Sequence, residues 1–285
     1  MDDSKQQNEG SGLDATEMKE ARRRSAPNAG VVYEAIRQEG EEELNRSTAA
    51  LVWSGLAAGL SMGFSFLTEG LLALHIPEAG WKPLVTKFGY CVGFLIVILG
   101  RQQLFTENTL TPVLHLLHCR NRRTLVQTSR LWLTVLAANV AGAAVFAALI
   151  HAMGYFQADL QAELSHIAAK VYASGFVETA LSGLFAGWMI ALMVWLLPFA
   201  ETGRVAIIIL ITYVVGLGGF AHIIAGSVNA FYVLMAGDAS PALFVGRFLV
   251  PTLLGNIFGG VAFVAAINHA QVDPESCRNA PDADA

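Results

Sequence analysis

Charged residues and cysteines are both scarce in this sequence. Asp, Glu, Lys and Arg make up 14% of the 285 residues, whereas a soluble domain carries about 25%. The three cysteines, Cys91, Cys119 and Cys277, lie far apart and form no closely spaced pair. A disulfide scaffold or a cysteine zinc site is therefore not expected. The first twenty residues lack the apolar core of a signal peptide, so the chain is predicted to begin with a solvated tail.

Apolar residues dominate instead. They make up 54% of the chain, which also contains 27 glycines, and the mean hydropathy is +0.49. The acidic residues are concentrated in residues 1–47 and 270–285. This distribution predicts an all-α, multi-pass membrane protein with polar tails, in which glycines let helices approach closely.

Six segments are apolar for roughly the 20 residues that a membrane span needs. They cover residues 49–74, 88–118, 131–151, 176–198, 205–235 and 247–268. The predicted domains are a disordered cytoplasmic tail (1–26), an amphipathic helix (27–47), a six-span transport domain (48–269) and a cytoplasmic C-terminal tail (270–285).

Apolar residues recur at helical spacing just before the first span, at Val31, Val32, Ala35 and Ile36. The pattern predicts a short helix that lies on the membrane surface. A solvated leader helix without membrane contact fits the same pattern.

The basic residues predict the orientation in the membrane. If the N-terminus is inside, the inner segments hold 13 of the 18 Lys and Arg residues: Lys5, Lys19, Arg22, Arg23, Arg24, Arg37, Arg46, Arg120, Arg122, Arg123, Arg130, Arg204 and Arg278. Both termini are therefore predicted to be cytoplasmic.

The second and fifth segments are longer than a span requires, and each has polar residues or glycines near its middle. These stretches are "RQQLFTENTLTP" and "GLGGFAHIIAGSVN". Broken helices explain both the length and the composition. His222, in the second stretch, is then predicted to lie near the membrane midplane, where an ionisable residue is functional by default.

The chain also repeats itself. "SGLAAG" in the first span matches "SGLFAG" in the fourth, and "NVAG" in the third matches "NIFG" in the sixth. Phe105 and Phe220 are predicted to be equivalent in the two breaks. Each half (about 48–151 and 176–268) contains three spans, so the two halves have opposite orientations in the membrane and form an inverted repeat. The substrate site of such a repeat is predicted where the two broken helices face each other.

The chain resembles the formate/nitrite transporter family at "LFTENT", "GGFAHIIAG", "GWMIALMVW" and the two Asn-x-x-Gly pairs. The resemblance covers residues of about 27–269 and indicates a divergent branch of the bacterial inner-membrane members. The resemblance implies an aquaporin-like protomer, a homopentamer, and one pore per protomer for small monovalent anions. It implies that His222 is the central pore histidine, that Thr106 faces it, and that Lys170 lies in the outer vestibule. A solvated loop lysine remains the alternative for Lys170.

The resemblance also implies two apolar constrictions in the pore. Leu104 and Phe105, with Ile190 opposite, match the cytoplasmic constriction, and counting back from the breaks places Phe94 and Val215 at the outer one.

This sequence departs from the family pattern at several positions. Gly187 and Gly226 stand where the family commonly has asparagine, although Ser227 and Asn229 follow Gly226 closely. Glu107 and Arg101 flank the first break and are predicted to form a buried pair; a second proton site at Glu107 is the alternative.

We therefore expect a non-enzymatic channel or transporter for formate, nitrite or a similar weak-acid anion, with proton-linked passage at His222. The expected partners are the anion, the proton and the bilayer, without nucleic acid, cofactor or metal. A water or neutral-solute channel is the alternative. A membrane metal enzyme using His115 and His118 is disfavoured, because their helix end is basic and no carboxylate completes a site.

Overall fold

The computed structural model describes residues 27–153, 158–200 and 202–272, together with residues 14, 16, 17 and 20. Throughout this part of the chain the secondary structure is helical, without a β-strand. The tails predicted for residues 1–26 and 270–285 lie largely outside the described residues.

The main helices follow one another with short connections. In chain order they are α1 (Ala29–Asn45), α2 (Thr48–His75), α3 (Lys82–Leu99), α4 (Thr111–Cys119), α5 (Arg122–Ala152), α6 (Ala158–Ala169), α7 (Phe176–Leu196), α8 (Arg204–Leu217), α9 (Ile223–Ala236) and α10 (Pro241–Gln271). Two π-helical turns, Phe244–Leu249 and Val261–Ala266, interrupt α10.

Five of the described helices, α2, α3, α5, α7 and α10, are long and apolar enough to cross a membrane, and α8 and α9 are shorter apolar helices. The chain is therefore a multi-pass membrane protein. The prediction that the second and fifth segments are broken is confirmed, because α3 and α4 lie in the second and α8 and α9 in the fifth.

Glycines bring the long helices together in the same way in each half. A Cβ atom on Gly59 of α2 would lie 2.1 Å from the backbone oxygen of Asn139 on α5, and one on Gly187 of α7 would lie 2.2 Å from that of Asn256 on α10. Both distances are too short for any side chain. Glycine is therefore what allows α2–α5 and α7–α10 to cross in backbone contact.

The two breaks begin with the same backbone turn. Gly100 donates its N–H to Ile96 at the end of α3, and Gly218 donates to Val214 at the end of α8. The next residue in each break adopts a left-handed conformation, with φ of 53° at Arg101 and 63° at Gly219. Such a residue ends a helix, so the chain leaves both spans by equivalent turns.

Helix α1 packs one of its faces on the protein. Its residues Tyr33, Ile36 and Leu44 are buried, and Gly40 lies directly against the backbone of Thr111 at the start of α4. Its buried residues therefore cover α4, the second half of the broken second segment.

Candidate functional site

Asn139 on α5 holds the first break in place. Its Oδ1 accepts a hydrogen bond from the N–H of Phe105 at 2.9 Å, and its Nδ2 donates to the backbone oxygens of Gly55 and Gln103 at 2.8 and 2.9 Å. The N–H of Gln103 in turn donates to Ser54 Oγ at 3.0 Å. These bonds satisfy backbone groups that a break in a buried helix leaves unpaired.

Asn256 on α10 does the same at the second break. Its Oδ1 accepts from the N–H of Ile223 at 2.9 Å, and its Nδ2 donates to the oxygens of Gly183 and Ala221, both at 2.8 Å. The N–H of Ala221 donates to Ser182 Oγ at 3.0 Å. The repeated "SG" and "NxxG" motifs are therefore the supports of the two breaks.

These bonds correct the predicted equivalence of Phe105 and Phe220. Phe105 and Ile223 are the residues whose N–H groups bond the two asparagines, so Phe105 corresponds to Ile223. Leu104 in the first break then corresponds to His222 in the second. The shared phenylalanine was a coincidence of residue type, whereas the side-chain supports define the true register.

His222 is the N-cap of α9 and is 1% exposed. Its Nδ1 accepts hydrogen bonds from the N–H groups of Ile224 and Ala225 at 3.3 and 3.2 Å, and its Nε2 lies 2.8 Å from Thr106 Oγ1. A ring nitrogen that accepts from two N–H groups carries no proton, so the neutral ring has its proton on Nε2. The break therefore fixes one tautomer, with the N–H directed at Thr106.

A cavity of about 180 Å³ leads to the histidine. Lys170, Val215, Phe220 and His222 are among the residues that line it. Lys170 is exposed and lies in the short helical turn before α7. An exposed ammonium group and the buried imidazole thus line the same cavity.

Four buried apolar side chains that the sequence singled out are not part of this lining. Leu104, Phe105 and Ile190 are each at most 1% exposed and belong to one apolar cluster. Phe94, predicted at the outer constriction, belongs to the same cluster and packs its ring edge against His222, with centroids 5.0 Å apart. His222 therefore lies between the cavity that it lines and a buried apolar cluster that its ring contacts.

The predicted pair between Glu107 and Arg101 is wrong. Arg101 bonds Glu39 of α1 instead, with Nη1 3.3 Å from Oε1, and its side chain is 68% exposed. Glu107 makes no ion pair with any described residue. The left-handed turn at Arg101 lies beside α1, and Glu39 of α1 supplies the carboxylate that pairs with Arg101 in place of Glu107. The prediction did not include the docking of α1.

Gly187 has a packing explanation. Because the backbone of Asn256 lies where its Cβ would be, an asparagine at position 187 does not fit between α7 and α10. The family side chain is therefore excluded here by the closeness of this helix pair.

Gly226 differs, because it lines the cavity. A Cβ there would lie 2.6 Å from the ring of Phe248, which also lines the cavity. Ser227 bonds the backbone oxygen of Ile223 at 2.6 Å, whereas Asn229 lines the cavity. Of the two neighbouring polar residues, Asn229 is the one placed to contact a solute.

His115 is engaged by protein groups on both ring nitrogens. Nδ1 lies 3.1 Å from Arg37 Nη1, and Nε2 lies 3.4 Å from Cys119 Sγ. Among the residues that the structure describes, no three His, Cys, Asp or Glu side chains are grouped as metal ligands would be.

An ion pair that the sequence analysis missed also lines the cavity. Lys87 Nζ donates to Glu69 Oε1, and both residues are on the lining with Lys170. A signal was present, because Glu69 is the only acidic residue in α2. An isolated acid within an apolar span marks a candidate functional residue.

The fold and this site define a class: helical membrane proteins in which two broken spans meet at a buried histidine and threonine below a cavity. The family model described as "Formate/nitrite transporter" matches residues 30–270. The chain belongs to the formate/nitrite transporter family, and it is therefore a member of a transport family and not an enzyme.

Two relatives illustrate the likeness. The inner membrane protein YfdC of Escherichia coli (strain K12) is 38% identical over 241 residues, covering 85% of this chain and 78% of that protein. The formate channel BtFdhC of Bacillus thuringiensis is 25% identical over 243 residues, covering 82% and 91%.

Two solved structures share the fold. One is a pentameric formate channel with formate bound, with a TM-score of 0.65, 20% identity, and coverage of 77% of this chain and 95% of that one. The other is an FNT family ion channel, with a TM-score of 0.76, 16% identity, and coverage of 86% and 100%.

Proposed function

We propose that this protein conducts a small monovalent anion of a weak acid, such as formate or nitrite, across the membrane, with passage linked to a proton at His222. The observation that carries the proposal is the 2.8 Å contact between His222 Nε2 and Thr106 Oγ1 at the inner end of a cavity that Lys170 also lines. A relative and a structural neighbour that are formate channels support the choice of anion.

The apolar barrier explains why the proton matters. An unpaired anion that passes Leu104, Phe105 and Ile190 loses its hydration, which costs at least several kcal/mol. A weak acid avoids most of this cost by crossing as the neutral acid. Lys170 concentrates the anion at the outer end of the cavity, and the barrier then admits the protonated form.

The hydrogen bonds of His222 define which atom takes part. Two backbone N–H groups hold Nδ1, so Nε2 is the nitrogen that exchanges partners. When an anion oxygen replaces Thr106 Oγ1 as the partner of Nε2–H, the ring holds the anion at the entrance of the barrier and keeps its own proton. A proton from the water of the cavity then converts the bound anion to the neutral acid. After the solute has passed, His222 Nε2–H donates to Thr106 Oγ1 again.

The assembly and location follow the same proposal. The two short helices α8 and α9 together form one broken span, which gives six spans. Five protomers form a homopentamer with one pore in each, in the bacterial inner membrane, with both termini in the cytoplasm. The excess of basic residues in the inner segments supports this orientation.

Flux into liposomes that contain the purified protein tests the proposal. Formate, nitrite, acetate, chloride and water are compared between pH 5 and 8. We expect formate or nitrite flux that exceeds chloride flux and rises on acidification. Flux of water or neutral solutes alone, without anion flux at any pH, would assign the protein to the other class of channel.

A further inference from the structure

The cavity contains a fixed ion pair in addition to Lys170. Lys87 donates to Glu69, whose side chain is 7% exposed, while that of Lys87 is 24% exposed. Glu69, Lys87 and Lys170 all line the cavity that ends at His222. A pair placed on the solute's path affects every ion that enters, in contrast to a pair on the outer surface.

Close packing between α2 and α3 holds this pair in place. A Cβ on Gly89 would lie 2.5 Å from the backbone nitrogen of Glu69. One turn earlier on α2, Ser65 Oγ donates to the oxygen of Tyr90 at 2.6 Å and accepts from the N–H of Gly93 at 3.0 Å. The backbones that carry Glu69 and Lys87 are therefore fixed relative to each other.

The charge of the cavity follows from its lining. Lys87 and Lys170 contribute two positive charges, Glu69 contributes one negative charge, and the hydrogen bonds of His222 are those of a neutral ring. The described lining thus carries one net positive charge. With Glu69 removed, the same space would carry two.

We propose that Glu69 is a specificity-determining residue. By neutralising Lys87, Glu69 limits the cavity to one net positive charge. The cavity then attracts singly charged anions and does not retain doubly charged ones. This inference rests on the proposed function and refines its substrate class. Lys170 supplies the attraction, and the pair of Glu69 and Lys87 supplies hydrogen-bonding groups without adding net charge.

The charge count predicts opposite signs for the two partners. Loss of the Glu69 charge leaves Lys87 unpaired, which strengthens the attraction for every anion and most for a divalent one. Loss of Lys87 leaves an unpaired carboxylate on the path, which weakens the attraction of the cavity for anions. If the pair were only structural, both changes would impair the protein in the same direction.

The test measures the KM for formate influx in proteoliposomes at low ionic strength, with sulfate as the divalent competitor. We expect Glu69→Gln to lower the KM roughly three- to tenfold and to make formate influx sensitive to inhibition by sulfate. Lys87→Met is expected to raise the KM by a similar factor. One charge at about 8 Å from the anion in an intermediate dielectric has an effect of this size. The double variant Glu69→Gln/Lys87→Met restores one net charge, so its KM is expected to lie between those of the two single variants and its inhibition by sulfate to be lost.

Glu163→Gln and Lys82→Met are the matched controls, because this pair lies 3.3 Å apart outside the cavity lining. Equal impairment by both single variants, or an unchanged KM in both, overturns the inference. If Glu69→Gln does not assemble, the double variant compared with Lys87→Met decides the question. Absence of wild-type anion flux would overturn the proposed function itself, whereas wild-type flux with unaltered variants overturns only this inference.

Discussion

The hydroxyl of Thr106 and the imidazole of His222 lie 2.8 Å apart, although each belongs to the break of a different half of the chain. Neither residue is held by its own helix alone, because the breaks are fixed by Asn139 and Asn256 from two other helices. The contact therefore depends on the assembly of both halves, and the histidine meets its partner only in the complete fold.

Asn139→Ala and Asn256→Ala are expected to destabilise the protein to a similar degree. Each change leaves one N–H and one carbonyl group of a buried break without their partner and also removes the bond to a carbonyl group of α2 or α7. At about 1–3 kcal/mol for each unpaired group, the cost is roughly 3 kcal/mol or more. Thermal unfolding in detergent measures it, with Asn229→Ala as the control. If one asparagine proved dispensable, the equivalence of the two breaks would not hold.

Leu104→Ala is expected to increase flux and to admit larger solutes such as acetate. The change removes part of the apolar barrier beside Thr106, and burial predicts a loss of about 2–4 kcal/mol of stability. Leu164→Ala provides the control, because Leu164 is also buried (1% exposed) but lies in a different apolar cluster. Flux that stays at the wild-type level in Leu104→Ala would place the barrier elsewhere.

Glu43 links α1 to the first break. Its carboxylate accepts hydrogen bonds from Gln103 Nε2 at 2.9 Å and from the hydroxyl of Thr111, on either side of the break. Burial raises the pKa of Glu43 to about 7 from an ordinary 4.5, and these two hydrogen bonds oppose the rise only in part. Docked α1 therefore favours the protonated carboxyl.

The docking of α1 should accordingly depend on pH. Undocked Glu43 loses its proton near pH 4.5, whereas docked Glu43 keeps it up to about pH 7. Docking is thus strongest at low pH and weakens as pH rises through this window. Hydrogen exchange in α1, corrected for its intrinsic pH dependence, should show roughly tenfold or greater loss of protection between pH 5 and 8.

Glu43→Gln should remove that dependence, since glutamine keeps a hydrogen-bonding group that does not ionise. Glu42→Gln is the control, because Glu42 is exposed. If hydrogen-exchange protection of α1 in Glu43→Gln still falls with rising pH, a group other than Glu43 causes the pH dependence of docking.

Local sequence patterns predicted the membrane class, the positions of the spans and both breaks. An apolar run that is too long for one span, with glycines and polar residues near its middle, indicates a broken helix. The repeated motifs also contain Asn139 and Asn256, the residues that support the breaks. The exact register of the repeat was missed, because it depends on which N–H each asparagine bonds and not on residue type.

Contacts between distant segments were not predictable from such patterns. The partner of Arg101 is Glu39 because α1 docks beside the first break, and no periodicity encodes that docking. Glu69 and Lys87 meet because Gly89 lets α3 approach α2. Their pairing requires knowledge of which helix faces are in contact, which a single sequence does not contain.

The most direct test of the central claim is the pH dependence of formate flux in wild type, His222→Asn and Thr106→Val. All three proteins are reconstituted at equal protein density and compared between pH 5 and 8. The account predicts flux that rises on acidification in wild type, a loss of flux and of its pH response in His222→Asn, and a smaller loss in Thr106→Val. Unchanged rate and pH dependence in His222→Asn would contradict the account.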